Sequence, residues 1–187
     1  DLPKGYQISQ YQKPFCVDGN LRVGEKTIRI NRVHLEEDTG KLTHGGSGST
    51  AYSLVNFNRS GVPLGEIVTE PDFNSVDTVI AYVQELQRII RYLSVSGADM
   101  EKGSMRLEPT GNLKITEEGK EYFTPLVEIK NINSFRFVRK ALEYEIARQV
   151  KDFGTSREEK APGNKTTVGF NESSQKPYLQ RAKEEAK

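Results

Sequence analysis

Val127-Glu128-Ile129-Lys130 puts charge on one side of a short strand and hydrocarbon on the other. Strand side chains alternate with a period of two, so Glu128 and Lys130 share a face and Val127 and Ile129 point to a core. Two further stretches read the same way. In Gly65-Glu66-Ile67-Val68-Thr69-Glu70 the acids Glu66 and Glu70 share a face. In Met105-Arg106-Leu107-Glu108, Arg106 and Glu108 do so, and Leu107 points inward. A fourth segment, 28–38, ends in His34-Leu35-Glu36-Glu37-Asp38. If these strands are neighbours, one sheet face gathers carboxylates crossed by Arg and Lys. Hard oxygen ligands suit Mg²⁺ and cations suit phosphate, so the pattern points to chemistry on an anionic substrate. A lone strand with one polar side is ordinarily a wetted sheet face, and the surrounding motifs must decide.

The 187 residues are enough for a sizeable core. With 27 basic and 26 acidic residues the net charge is +1, which gives nucleic-acid binding no support beyond a local patch. The single Cys16 rules out an internal disulfide and a multi-Cys zinc site, fits a reducing compartment, and reads as a small half-buried side chain. No apolar run approaches the ~20 residues that cross a bilayer. The chain opens at Asp1-Leu2-Pro3 without Met, so it is expected to be a piece of something longer.

The first forty residues read as extended, with a breaker at Lys13-Pro14, a hairpin-type turn at Asp18-Gly19-Asn20 and the longest strand over 27–35. The Gly/Ser/Thr-rich stretch 40–50 reads as a flexible loop, either a surface connection or a lid offering backbone N–H groups to phosphate. Ser75 caps the clearest helix, with Asp77 in its first turn and Val79, Val83, Leu86, Ile90 and Leu93 in one stripe. A second helix over about 135–150 carries Val138, Leu142, Ile146 and Val150, with Asn133 or Ser134 as cap. Turns are expected at 109–111 and 117–120, and Val168-Gly169-Phe170 reads as a short strand. The fold class is α+β, a mostly antiparallel sheet with two main helices packed on one face. One domain spans 1–187, with 152–187 as its loop-rich C-terminal part.

Five segments in order carry a resemblance: DLPKGYQISQY (1–11), HLEEDTGK (34–41), SLVNFNRSGVPLGEIVTEPD (53–72), MEKGSMRLEP (100–109) and EIKNINSFRFVRKALEYEIARQ (128–149). Together they closely resemble the B-subunit family of the tRNA-dependent amidotransferases, which make Gln-tRNA(Gln) and Asn-tRNA(Asn) from misacylated precursors. The resemblance is to part of the family's catalytic, glutamine-synthetase-like cradle domain. An opening strand with a Glu and a His would precede Asp1, and tRNA-gripping tail domains would follow Lys187. It implies that ATP and Mg²⁺ phosphorylate the Glu or Asp side chain on tRNA, and that ammonia displaces the phosphate. The ammonia comes from a glutaminase A subunit, and the pair is braced by a small C subunit. A carboxylate is a poor electrophile, acyl phosphate supplies a leaving group, and phosphoryl transfer asks mainly for placed cations. The segment by itself is expected to be inactive and to bind Mg²⁺ weakly. The expected setting is the bacterial cytoplasm, with an organelle also compatible, and no membrane.

Carried over residue by residue, the resemblance implies Glu37 and Glu108 as Mg²⁺ ligands, with Glu66 as a third and His34 and Glu36 beside them. Glu101 and Arg106 fall in one family motif; Glu128, Lys130 and Asn131 fall in another. There Arg106 and Lys130 are phosphate contacts, and Glu128 and Glu101 complete the catalytic set. Lys4 and Tyr6 lie near the substrate pocket with Asn131 as nucleotide contacts, whereas Arg59 is either a site residue or an ion-pair partner. Glu70-Pro71-Asp72 is expected to cap and orient the helix that follows. The sequence departs from the family at Glu108, where many members have Asp; at Thr110-Gly111, which disturbs the next strand; at Asn56, which replaces an Asp; and at Gly65, which replaces a bulkier apolar residue. The alternative reading is a noncatalytic module, derived from the same domain, that binds tRNA or a partner subunit. A standalone ATP-grasp-like carboxylate ligase ranks last, because it lacks the ordered motif string.

Overall fold

The computed structural model describes residues 9–155, 165–171 and 173–182. The chain divides into two compact units, Asp1–Phe73 and Asn74–Lys187. The first contains β1 (Cys16–Val23), β2 (Lys26–Glu37), β3 (Lys41–Gly45), β4 (Tyr52–Asn56) and β5 (Pro63–Thr69). The second contains α1 (Val76–Tyr92), β6 (Thr110–Gly111), β7 (Lys114–Glu117), β8 (Lys120–Phe123), β9 (Val127–Lys130), α2 (Phe135–Thr155), β10 (Thr166–Asn171) and β11 (Lys176–Ala182). The α+β expectation holds, and every strand pair is antiparallel except β9 with β10.

In the first unit β2 is the central strand of a β1-β2-β5 sheet. The turn before it falls at Gly24-Glu25, because Val23 pairs with Lys26 and Gly24 supplies φ +60°. Asp18-Gly19-Asn20 is therefore not the predicted turn. It runs inside β1, with Asp18 at φ +54° and the bare Gly19 backbone against Ile30. The 40–50 stretch also differs from expectation, since its first half is strand: β3 pairs with β4 from Lys41↔Asn56 to Gly45↔Tyr52. Backbone pairing overrides the flexible composition there, and the glycines serve the hairpin tip, where Gly46 has φ +73°. Cys16 is exposed rather than half-buried, since β1 is an edge strand of its sheet.

In the second unit the sheet order is β11-β10-β9-β6. Val127 and Ile129 of β9 and Val168 and Phe170 of β10 face one core with Ile80 of α1 and Phe137, Val138 and Ala141 of α2. Both helices thus contribute to the same side of the sheet. Ser75 caps α1 by accepting a hydrogen bond from the Thr78 N–H, and Ser134 Oγ accepts from the Phe137 N–H at the start of α2.

The predicted α2 stripe is rotated. Phe137, Val138, Ala141, Glu145 and Gln149 are buried, while Ile146 and Val150 are exposed. Glu145 and Gln149 tolerate burial because they are satisfied: Arg148 and the Gln149 amide donate to Glu145, and the Thr124 hydroxyl donates to Gln149. The segment 105–109 is not a strand. Asp99 and Ser104 fold the chain before it into a turn, and Pro109 has no N–H for a ladder. Thr110-Gly111, expected as a turn, instead forms β6 against Val127 and Glu128. Beyond residue 152, β10 and β11 make the chain richer in strand than its polar composition predicts.

Candidate functional site

Two charged faces emerge, one in each unit. In the first, β2 and β5 pair with His34 directly opposite Glu66. Glu36 lies two residues beyond His34, so alternation puts all three on one face. His34 Nε2 sits 3.1 Å from Glu36 Oε1 and 3.2 Å from Glu66 Oε2. The ligand-type atoms of these three residues all lie within 4.8 Å of one another. His34 is fully buried, and its Nδ1 has no hydrogen-bond partner among the described residues. The ring meets Tyr11 edge-on at 5.9 Å, and the Arg32 guanidinium lies 4.3 Å from the centre of the Tyr11 ring. Ser9 donates to Glu36 Oε1 at 3.0 Å. By alternation Glu37 belongs to the opposite face, and it is not one of the three clustered residues.

Around this cluster the flanking acids have structural work. Asp72 accepts from Nε, Nη2 and the backbone N–H of Arg29, and Glu70 accepts from Asn31 at 2.6 Å. The Arg29 hydrogen bonds hold the Asp72 carboxyl down at about 2. The expected capping role of Glu70-Pro71-Asp72 is thus corrected: Ser75 is the helix cap, and these acids tie the end of β5 to β2. Arg59 lies 3.7 Å from the buried Asp38 and donates to the Thr39 carbonyl at 3.0 Å, which makes it the ion-pair partner. Asn56 accepts from the Asn58 N–H in a local turn. Gly65 does not break β5, where it pairs with Leu35.

In the second unit, β9 presents Glu128 and Lys130 on the face opposite Val127 and Ile129, as alternation requires. Lys130 Nζ lies 2.9 Å from Glu108 Oε2 and 4.0 Å from Glu128 Oε2. Two residues that sequence reasoning missed complete the row. Lys165 Nζ donates to Glu128 Oε1 at 2.9 Å, and the Thr167 hydroxyl donates to Oε2 at 3.2 Å. The period-two rule puts Lys165 and Thr167 on one face, and the register of β10 on β9, with Thr167 opposite Glu128, brings that face to the row. Burial raises the Glu128 carboxyl, but the Lys165 hydrogen bond and the Lys130 and Lys165 charges outweigh it, and the group sits below its ordinary range. Asn131 follows at φ +61°, a left-handed turn that Asn tolerates, and donates to the Tyr178 hydroxyl at 3.1 Å.

The remaining predicted residues are Glu101, Arg106, Lys4 and Tyr6. Glu101 lines a cleft of about 490 Å³ with Asn133, Ser134, Arg136 and Phe137 at the start of α2. The turn that carries Glu101 is held by Asp99 Oδ1, which accepts from the Glu101 and Lys102 N–H groups. Arg106 is exposed in the non-strand segment, and Glu108 stands two residues after it. Lys4 and Tyr6 lie outside the described residues.

Comparison with known proteins agrees with the ordered motifs. Residues 1–187 match the model of a family described as the GatB/GatE catalytic domain. Among curated relatives, the B subunit of the aspartyl/glutamyl-tRNA(Asn/Gln) amidotransferase of Rhodopirellula baltica is 44% identical over 192 aligned positions, covering 100% of this chain and 39% of the relative. The same-named protein of Persephonella marina is 49% identical over 190, covering 100% and 38%. That of Thermodesulfovibrio yellowstonii is 53% identical over 155, covering 81% and 32%. The chain thus spans at most 39% of the length of these relatives. Its match over the full 187 residues carries the assignment: the chain belongs to the GatB/GatE catalytic domain family.

Proposed function

We propose that this chain is the phosphorylating part of the B subunit of a tRNA-dependent amidotransferase. In this reading the protein uses ATP to activate the side-chain carboxylate of Glu-tRNA(Gln) or Asp-tRNA(Asn), and ammonia from a partner glutaminase subunit then forms the amide. The observation that carries it is the coincidence of the family match with two charged faces built from the family's motif residues. A glutamine-synthetase-like cradle for the whole domain, a cytoplasmic setting and a small third subunit belong to the same reading. Among the described residues, no helix is long and apolar enough to cross a membrane.

The first face fits a divalent cation. Two carboxylates and the Nε2 of one buried imidazole converge, their ligand-type atoms all within 4.8 Å of one another. His34, Glu36 and Glu66 would hold the ion, which when bound neutralises phosphate charge. Glu37 and Glu108 remain candidate ligands through the family resemblance. The second face supplies cationic work from the protein itself. Lys130 exchanges Glu108 for a phosphoryl oxygen, and Glu128 adds negative charge beside it on the same sheet face. Arg106 and Asn131 flank this row as candidate phosphate and nucleotide contacts, Glu101 as a candidate in the adjacent cleft, and Lys4 and Tyr6 as candidate pocket residues.

The test is made in the full-length complex. Lys130→Met and Glu66→Gln should each lower ATP-dependent amidation by about 100-fold, the scale of losing one preorganised electrostatic contact, with glutaminase activity intact. Amidation within a few-fold of wild type for both variants would refute the assignment.

A further inference from the structure

The row Lys165–Glu128–Lys130–Glu108 alternates in sign and has unequal ends. At one end Glu128 is engaged through both oxygens, by Lys165 at 2.9 Å and by Thr167 at 3.2 Å. Its side chain is only 15% exposed, and that of Lys165 31%. At the other end Lys130 and Glu108 are 36% and 46% exposed, so water screens their 2.9 Å contact and loosens it. Lys130 lies between two carboxylates but beside only one, 4.0 Å from Glu128. Gly169, its register partner on β10, brings no side chain against it.

We propose that Lys165, assisted by Thr167, is a positioning residue for Lys130. By occupying Glu128 it keeps the Lys130 ammonium beside Glu108, in a contact that an incoming phosphoryl group can displace. Two carboxylates and two ammoniums balance in the row. Without Lys165 the row carries one net negative charge, Glu128 competes for Lys130, and the face repels an anion. The depressed carboxyl of Glu128 agrees with Lys165 as its main stabilising partner. The inference rests on Lys130 as a phosphate contact.

The experiment uses the full-length protein in its assembled complex, with Lys130→Met as reference and ATP as the probe. Lys165→Met should raise the KM for ATP about tenfold while kcat at saturation stays within about threefold, since saturating nucleotide recovers Lys130. Lys165→Arg, which keeps the charge, should restore most of the KM. A crystal structure of Lys165→Met should show Lys130 Nζ moved to about 2.8 Å from Glu128. If Lys130→Met disables the ATP step yet Lys165→Met leaves KM and the Lys130–Glu108 pair unchanged, the positioning role is overturned and the site reading stands. If Lys130→Met itself has no effect, the site reading fails and takes the inference with it. Should Lys165→Met not fold, Thr167→Val decides: a smaller KM rise supports the role, and an unchanged KM overturns it.

Discussion

The two charged faces obey the same alternation but rest on opposite foundations. In β9 the hydrocarbon is inside: Val127 and Ile129 are 3% and 1% exposed, and Glu128 and Lys130 face outward. At the end of β2 the order is inverted, with the imidazole of His34 fully buried and its neighbour Leu35 52% exposed. A polar group takes the inside position at the cost of Nδ1, which is buried without a partner among the described residues. The second unit also buries polar side chains, Thr124, Glu145 and Gln149, but these satisfy one another. Buried polarity that is satisfied serves the fold. At His34 it is Nε2 that meets the two carboxylates, so a cation completing that set would be taken by Nε2, on the other side of the ring from Nδ1.

The largest effect should come from the inverted apolar positions. Ile129→Ala is expected to cost about 2–5 kcal/mol in urea unfolding, and Leu35→Ala within about 0.5 kcal/mol. Equal losses would mean that β2 rests on Leu35 after all, and the contrast would collapse. A comparable effect is expected from a cation. Mn²⁺ at 100 times its dissociation constant should stabilise the full-length protein by about 2.7 kcal/mol. His34→Leu and Glu66→Gln should abolish that stabilisation, and Lys130→Met should keep it. No stabilisation in the wild type would leave His34 as a hydrogen-bonding bridge between two acids.

Smaller effects test the satisfied side. Thr124→Val leaves the buried Gln149 short of a hydrogen bond and should cost about 1–3 kcal/mol. Ser75→Ala removes the α1 cap and should cost about 1 kcal/mol, read from the same unfolding curves.

The sequence made the second face more legible than the first. Val127-Glu128-Ile129-Lys130 is a strand with its predicted sides, because a hydrophobic core rewards the simple period-two pattern. Both helix caps were readable as well, since Ser75 and Ser134 act through local hydrogen bonds. What the pattern missed depends on tertiary pairing. The inverted end of β2 needs Glu66 across the ladder, and the burial of Glu145 and Gln149 over Ile146 and Val150 needs Thr124, more than twenty positions away in sequence. Met105-Arg106-Leu107-Glu108 alternates as well as β9 does, yet it is not a strand: the Asp99 turn folds the chain before it, and pairing with β9 starts at the Pro109 carbonyl, which accepts from the Ile129 N–H at 2.9 Å. The 40–50 stretch failed in the other direction, with cross-strand pairing overruling a loop-like composition. Lys165 was overlooked because its motif value appears only when β10 is laid beside β9.

The smallest effect concerns acid. Asp72 is held at about 2 by the Arg29 hydrogen bonds, whereas an unfolded Asp titrates at about 4. A depressed folded value means that the unfolded chain binds the proton more readily. The stabilisation is therefore complete above about pH 4, declines as pH falls, and is gone once the pH passes below about 2. Glu128 follows the same sign in the second unit, with its stabilisation present above the ordinary carboxylate range and lost as pH falls through its depressed value. The two should separate by substitution. Asp72→Asn should flatten the acid limb of stability between about pH 4 and pH 2. Glu128→Gln should flatten the part that belongs to Glu128, and the double variant should show the sum, because each pair lies wholly within its own unit. A wild-type slope in the Asp72→Asn protein would mean that the Arg29 pair is too solvated to matter, and the acid sensitivity would then belong to the second face.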